Sequence, residues 1–439
     1  MTKYRILPHS VLGTAYRPDR PYRIVGGGIA GLLLGYYLKR ARADYRLYEL
    51  TDRVGGLLGS VERKYGIVET AANGYLWCPE LQAIGDHLGL ETLAPLPAAK
   101  GRYFLRNNKM TRLPLSPWQL GGLLGRVVLP HGRRLRTAED FGQVYLGDAA
   151  TRAILEPGLG GIFGGRPEEL SFVGALKPLA HALNHSSHLP TGLYSYRQQL
   201  KRESDYAAPT ASGTHGFAGG MQALVDALYH YQKDHIELGT DGLALPKDKH
   251  TQTILTLPAY RAADYFGEGH LAHELRSVRY LDMVSTTIWV HRDEVGRFRE
   301  GFGVLIPRQA GYKILGVLFN SCIFPNRAYD AEHLSLTAIT RLHGDEAALP
   351  PEAIQTLVVS DLQRLLDLRA APLDTYQRRW ARGIPLYTPE LAEQWWEWDE
   401  LLRTEYPHVN LFGNYTGEIS IRRMAQVAAG HFHSTGSET

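Results

Sequence analysis

The sequence is poor in cysteine, with two in 439 residues, Cys78 and Cys322. Two thiols so far apart build no disulfide framework, no C-x-x-C redox pair and no multi-cysteine metal centre. Their scarcity fits a reducing, cytoplasmic setting. Long apolar runs are also missing. No stretch reaches the ~18 apolar residues of a membrane-spanning helix. Met1 to Arg20, with scattered charge and two prolines, does not read as a secretory signal. Nor is there an excess of one charge. Lys and Arg total 48 against 45 Asp and Glu, a formal net charge of +3 with an isoelectric point near 8.6. So small a surplus is no electrostatic footprint for nucleic acid. Internal repeats and low-complexity linkers are absent, so domains built from interleaved segments are expected.

What is present is an ordinary globular composition, 44% hydrophobic and 21% charged. It excludes disorder, collagen-like repeats and coiled coil as the main architecture. At about 100–200 residues per domain, the length predicts two or three units with a large core.

Tyr22 to Val25 is a short apolar run that stops at glycines and reads as a buried strand. Gly26-Gly27-Gly28-Ile29-Ala30-Gly31 follows, then a Leu- and Tyr-rich helix over 32–40 and a second strand over 45–48 ending at Glu49. Gly26, Gly28 and Gly31 satisfy G-x-G-x-x-G. The first makes a tight turn, the second lets a pyrophosphate approach the backbone, and the third lets helix and strand pack closely. Free N–H groups at the helix start face the phosphates. Glu49, 18 residues past Gly31, can accept the hydroxyls of a ribose.

Glu49 to Gly56 has the form E-x-x-D-R-x-G-G. This resembles the extended FAD signature of the amine-oxidase, phytoene-desaturase and protoporphyrinogen-oxidase superfamily, in which the arginine and paired glycines, here Arg53, Gly55 and Gly56, continue the phosphate contact. Later segments resemble the protoporphyrinogen-oxidase branch. They are Leu155-Glu156-Pro157 with Gly161 to Ser171, Phe217 to Leu224 (G-G-M-x-x-L), Ile306-Pro307 with Ile314-Leu315-Gly316, and Ser321 to Ala328 (S-x-x-F-P-x-R-A). Trp380 with Ile384-Pro385 and Tyr387, and Phe412 to Gly417 (G-N-x-x-G), complete the set. They fall in the family's order from about residue 22 to 430. Two places depart from the pattern. The family's E-x-G-P beside the isoalloxazine is here Glu69-Thr70-Ala71-Ala72-Asn73-Gly74, and the C-terminal turn continues Glu418-Ile419-Ser420-Ile421-Arg422-Arg423.

The resemblance implies an α/β fold: a Rossmann-like, three-layer FAD-binding domain, a mixed-sheet substrate domain and a helical insert. The expected limits are 1–75, 205–275 and 405–439 for the first, 76–110 and 276–404 for the second, and 111–204 for the third. It implies FAD held by Gly26 to Gly31, Glu49, Arg53, Gly55, Gly56, Ala72, Asn73, Gly74, Gly413, Asn414 and Ile419. The implied activity is that of an FAD-dependent oxidase or dehydrogenase resembling protoporphyrinogen or coproporphyrinogen oxidase. It would take hydrides from a small-molecule, tetrapyrrole-type substrate, with molecular oxygen or another electron acceptor. The two departures keep open an amine oxidase or desaturase acting on a non-porphyrin metabolite, and a redox-neutral flavin-dependent mutase.

No catalytic side chain is singled out, because a flavin carries the redox step itself. Arg102, Arg106 and Arg112 lie near a hairpin expected over 102–110, with Asn107-Asn108 at its tip, and suit substrate carboxylates. His181, His185 and His188 have helical spacing, but no carboxylate completes a set, so no metal is expected. His431 and His433 read as tail residues. Trp395, Trp396 and Trp398 read as core. Leu113 to Val128, with Trp118 and Arg126, is expected to pack against its own domain; the other readings are a peripheral contact with a bilayer surface or a cover over an apolar entrance. A helix is expected over 138–155.

Overall fold

A computed structural model describes residues 3–7, 11–203 and 213–433. The expected limits at 1, 205 and 439 lie outside the described residues. Tyr22–Val25 forms the middle strand of a five-stranded parallel sheet. It lies between Tyr45–Glu49 and Gln252–Leu255, with Ile236–Leu238 and Val409–Leu411 at the edges. Strands covered on both faces read as continuous apolar runs rather than alternations, and Ile24, Leu47 and Ile254 are wholly buried. Helices Ile29–Arg40, Met221–Gln232 and Ile421–His433 pack together against one face. A small antiparallel sheet, Tyr75–Leu76, Thr214–Phe217 and Thr92–Leu93, covers those helices. The result is a sheet–helix–sheet stack of three layers.

The second sheet has seven strands, ordered Asp374–Pro385, Tyr280–His291, His333–Leu342, Ile314–Leu318, Gly303–Leu305, Arg102–Arg106 and Lys109–Thr111. Only the pair 303–305 and 102–106 is parallel. The hairpin tip is as expected: Asn107 and Asn108 both take the left-handed conformation of a two-residue I′ turn. One face buries Val284, Ile288, Leu334 and Leu336 under helix Pro351–Leu366. The other face carries Ser285, Thr287, Trp289, Ser335 and Thr337. Its polar atoms pair across strands, as in Thr287 Oγ1 to Thr337 Oγ1 at 2.6 Å.

Residues 117–203 are mostly helical. The helix expected over 138–155 is broken by Gly147, which takes φ +78° between two π-helical turns. The run then continues as helix Glu156–Phe163. The helix carrying His181 ends at His185, so His188 falls in the connector and the three imidazoles do not form one helical face. His185 bonds Gln199, His188 bonds Thr191, and His181 stacks on Tyr196. Tyr4 packs in this helical core against Phe172, with a two-way bond to Asn184. Trp395 and Trp398 are core residues, as expected.

The expectation that 113–128 packs against its own domain holds only at the two ends of the segment: Pro114 and Leu115 are buried, Val127 packs against the cluster of Phe141, Tyr145 and Phe172, and Arg126 donates to the Gln143 carbonyl. Helix Pro117–Val127 buries no residue, and Trp118 is 91% exposed. No helix of the described residues is long and apolar enough to cross a membrane.

One buried ion pair joins the two-stranded sheet of Ser60–Arg63 and Gly66–Glu69 to the turn Pro325–Arg327, which precedes the strand His333–Leu342 of the seven-stranded sheet. Glu69, ending the strand Gly66–Glu69, meets Arg327 Nη2 at 2.5 Å, with side chains 0% and 1% exposed. Ser60 Oγ and the Met221 N–H also donate to this carboxylate. Burial lifts the carboxyl above its usual pKa, and these donors and the Arg327 charge pull against that shift. Removing one partner strands the other charge in a dry interior. Arg327→Met should therefore cost about 3–5 kcal/mol in urea unfolding, and Arg327→Met with Glu69→Gln should recover part of that loss.

Candidate active site

The glycine turn is built as its residue types require. Gly26 takes φ +113°, a conformation that side chains resist. A Cβ on Gly31 would lie 2.1 Å from the Gly26 carbonyl oxygen, so this helix can pack on this strand only with glycine there. Thr256 Oγ1 donates to that carbonyl at 2.7 Å and holds the turn. Gly28 is the N-cap of helix Ile29–Arg40, in extended backbone with no side chain capping the N–H groups. A Cβ on Gly28 would meet nothing within 4 Å. Open space therefore lies in front of the helix start carrying Ile29, Ala30 and Gly31, where an anion is favoured.

The second motif docks on the first. Gly55 pairs with Gly28 as a parallel bridge, and the Gly55 N–H donates to the Gly27 carbonyl at 2.8 Å. Arg53, on the surface, donates through Nη2 to the Gly56 carbonyl at 3.1 Å. Glu49 Oε2 accepts the Gly27 N–H at 2.7 Å, and Oε1 accepts the Thr51 N–H and hydroxyl. The half-buried carboxylate keeps further lone pairs for a ribose. These features fit the adenosine diphosphate part of FAD.

Two segments approach from the other side. Thr70 follows Glu69; its N–H donates to the Gly59 carbonyl, and its own carbonyl accepts the Trp380 indole N–H at 2.8 Å. Ala72 packs against the nucleotide-side core and Gly74 closes on the His215 carbonyl, with Asn73 between them. The C-terminal turn holding Gly413 and Asn414 is tied by Thr416 Oγ1 to the Gly413 carbonyl and by Tyr387 OH to the Asn414 carbonyl. Trp395 Nε1 holds the Tyr415 carbonyl at 2.7 Å. Lys177 Nζ reaches the Gly417 carbonyl at 3.0 Å and Glu418 at 2.7 Å. Burial would raise the Glu418 pKa, but Lys177 and Arg423 outweigh it and hold the carboxyl below its usual range. Ile419, next in the chain, is thereby set beside a braced turn.

The structure thus brings Gly26 to Gly31, Glu49, Arg53, Gly55 and Gly56 into one cradle. Ala72 to Gly74 and Gly413 to Ile419 form two further segments, each tied to the seven-stranded sheet or its connections. Sequence reasoning missed the residues that tie them: Trp380 as a donor to Thr70, Lys177 with Glu418, and the Glu69–Arg327 pair. The motifs contained most of these residues, but nothing in a linear motif says which side chains meet. The hairpin arginines lie elsewhere. Arg102–Arg106 is five strand steps from Asp374–Pro385, about 24 Å at the usual spacing. A cavity of about 610 Å³ opens at that far edge, lined by Arg106, Asn108, Gln119 and Arg152 among others. His270, Glu274 and Glu397 bring possible metal-ligand atoms within 4.8 Å of one another, but Glu274 already accepts the Trp398 indole N–H.

If the cradle holds FAD as its shape suggests, Gly28→Val should leave the FAD-free protein within about 1 kcal/mol of the parent, because its side chain enters open space. Its FAD occupancy, read by flavin absorbance after equilibration, should fall at least about tenfold. Gly31→Ala should instead lower the stability of the FAD-free protein itself.

The model of flavin containing amine oxidoreductases matches residues 29–421. Protoporphyrinogen oxidase 2 of Arabidopsis thaliana is 26% identical, over 91% of this chain and 90% of that protein. Coproporphyrinogen III oxidase of Bacillus subtilis is 23% identical, over 89% and 92%. Among solved structures, a putative protoporphyrinogen oxidase from Exiguobacterium aligns with a TM-score of 0.74 at 19% identity, covering 95% of this chain and 99% of that one. Reduced UDP-galactopyranose mutase aligns with a TM-score of 0.71 at 13% identity, over 95% and 94%. These findings make the protein an FAD-dependent oxidoreductase, and the chain belongs to the flavin-containing amine oxidoreductase family, in its protoporphyrinogen oxidase-like branch.

Proposed function

We propose that this oxidoreductase acts on a porphyrinogen, a reduced tetrapyrrole bearing carboxylates, and passes electrons to oxygen or another acceptor. The observation that carries the reading is a half-buried row across one face of the seven-stranded sheet, in which Arg378, Ile339, Leu305 and Phe104 lie in line through the strand register, beside the fully buried Thr287, Ser335 and Thr337. Gly161 and Gly164, at the end of helix Glu156–Phe163, close on Leu305 and on Leu281 and Met283. This roofs part of the face, and the Trp380 end abuts Thr70. Phe104 and Arg106 continue the face of Leu305 to the far edge by strand alternation and pairing. An extended, flat substrate with acidic edges suits such a surface, and the 610 Å³ cavity serves as its outer mouth. When bound, the flavin supplies the two-electron oxidation. The chain's own part is to orient the substrate and exclude water. Relatives named as protoporphyrinogen and coproporphyrinogen oxidases support the substrate class. FAD is assigned to Gly26 to Gly31, Glu49, Arg53, Gly55, Gly56, Ala72 to Gly74, Gly413, Asn414 and Ile419.

The test is anaerobic addition of protoporphyrinogen IX or coproporphyrinogen III to the holoenzyme. The flavin absorbance should bleach and return on admitting oxygen or another acceptor. An unchanged spectrum with both compounds would remove the reading. Bleaching by an amine instead would point to the amine-oxidase alternative.

We also infer that helix Pro117–Val127 rests on an anionic lipid surface on the cytoplasmic side. Residues 101–138 carry eight Lys and Arg and no Asp or Glu. Trp118, Leu124, Val128 and Leu129 stand exposed among them. Apolar side chains flanked by cations suit anionic headgroups. In co-sedimentation, vesicles containing phosphatidylglycerol should retain the protein, and phosphatidylcholine vesicles should not. Trp118→Glu should release it.

A further inference from the structure

A guanidinium withdrawn from water needs an anion or a full set of acceptors. Arg378, half-buried in the strand Asp374–Pro385, is withdrawn at its Nε and has neither, while its two terminal nitrogens stay open. Its Nε is shut from solvent with no hydrogen-bond partner, and no carboxylate among the described residues pairs with it. The charges near it on the strand are satisfied. Asp374 takes two bonds from Arg63, and Arg379 is held by Asp282.

Orientation follows from alternation. Asp374, Tyr376, Arg378 and Trp380 share one face of the strand. Asp374 and Trp380 both reach the nucleotide-binding part, through Arg63 and through the Thr70 carbonyl. Arg378 therefore points into the same seam, beside the segment that leads to Ala72, Asn73 and Gly74. Its guanidinium lies over the Trp380 ring, 4.2 Å from the centroid. Stacking fixes the plane of the fork and leaves its N–H edge to meet a carboxylate. Trp380 is in turn fixed by its bond to Thr70. Ser285 stands directly across from Arg378 in the sheet register and places a hydroxyl on the same face.

We propose that Arg378, stacked on Trp380 and flanked by Ser285, is a carboxylate subsite that sets the orientation of an acidic substrate against the Thr70–Gly74 segment. The FAD phosphates are not the anion it meets, because their cradle lies at the Gly28 helix start. The inference rests on the porphyrinogen reading for its choice of substrate.

The experiment titrates the holoenzyme with protoporphyrin IX and with its dimethyl ester, which lacks the charge, and follows tryptophan fluorescence. Arg378→Met keeps an apolar stem over Trp380 and removes the fork. The preference for acid over ester should fall about 10- to 100-fold, the scale of a charged hydrogen-bonded contact. Arg378→Lys should fall between, and FAD content and unfolding midpoint should match the parent. Equal weakening of acid and ester, no change, or loss of FAD would overturn the subsite. A parent enzyme that binds neither compound overturns both the subsite and the porphyrinogen reading. A parent that binds them but is not bleached by the porphyrinogens loses the proposed activity alone, and the acid-to-ester ratio still decides the subsite.

Discussion

The carboxylate of Glu69 is the point on which the two halves of the molecule turn. It gathers a hydroxyl from the neighbouring strand, the first N–H of helix Met221–Gln232 and the guanidinium of Arg327 from the side of the seven-stranded sheet. A buried charge is tolerable only when its neighbours supply donors, so all of these elements must stay together. The next residue is Thr70, which begins the segment assigned to the flavin. The constraint that joins the layers thus also places the site.

The same economy appears at the C-terminal turn. Its carbonyls are held from outside by Tyr387, just past the end of strand Asp374–Pro385, by Trp395 of helix Pro389–Thr404 and by Lys177 of helix Lys177–His185. Of the residues that depart from the family pattern in Glu418 to Arg423, Glu418 and Arg423 join this bracing. Glu418 is tied to Lys177 and Arg423. These two altered residues therefore do structural work at the C-terminal turn, which is compatible with the retained cofactor. The departure at Ala71-Ala72-Asn73 is of another kind, since it leaves small side chains next to the seam that Arg378 faces.

The helices of residues 117–203 show how packing can limit a sequence expectation. Leu113 to Val128 is apolar enough to be core, yet the helix within it touches the cluster of Phe141, Tyr145, Phe172 and Leu183 only through its last residue, Val127. Tyr4, from the start of the chain, takes a buried place in that cluster. Hydrophobicity sets a demand for cover, and it leaves open which surface provides it.

Several elements were legible because their requirements are local. The turn Gly26 to Gly31, the acid Glu49 and the pair Gly55-Gly56 lie within about thirty residues, and each meets a need of nearby backbone. The Asn107-Asn108 hairpin is of the same kind. The sequence by itself therefore determined the nucleotide-binding layer and, through the order of motifs, the family. It did not reveal Tyr280–His291 and His333–Leu342 of the seven-stranded sheet, since both faces of these strands are covered and the polar–apolar alternation is lost. Which side of Asp374–Pro385 faces Thr70, and so that Arg378 lacks an anion while Arg379 has one, was decided only by the tertiary structure. A side chain's partner depends on what the fold packs against it, and here those partners come from distant parts of the chain.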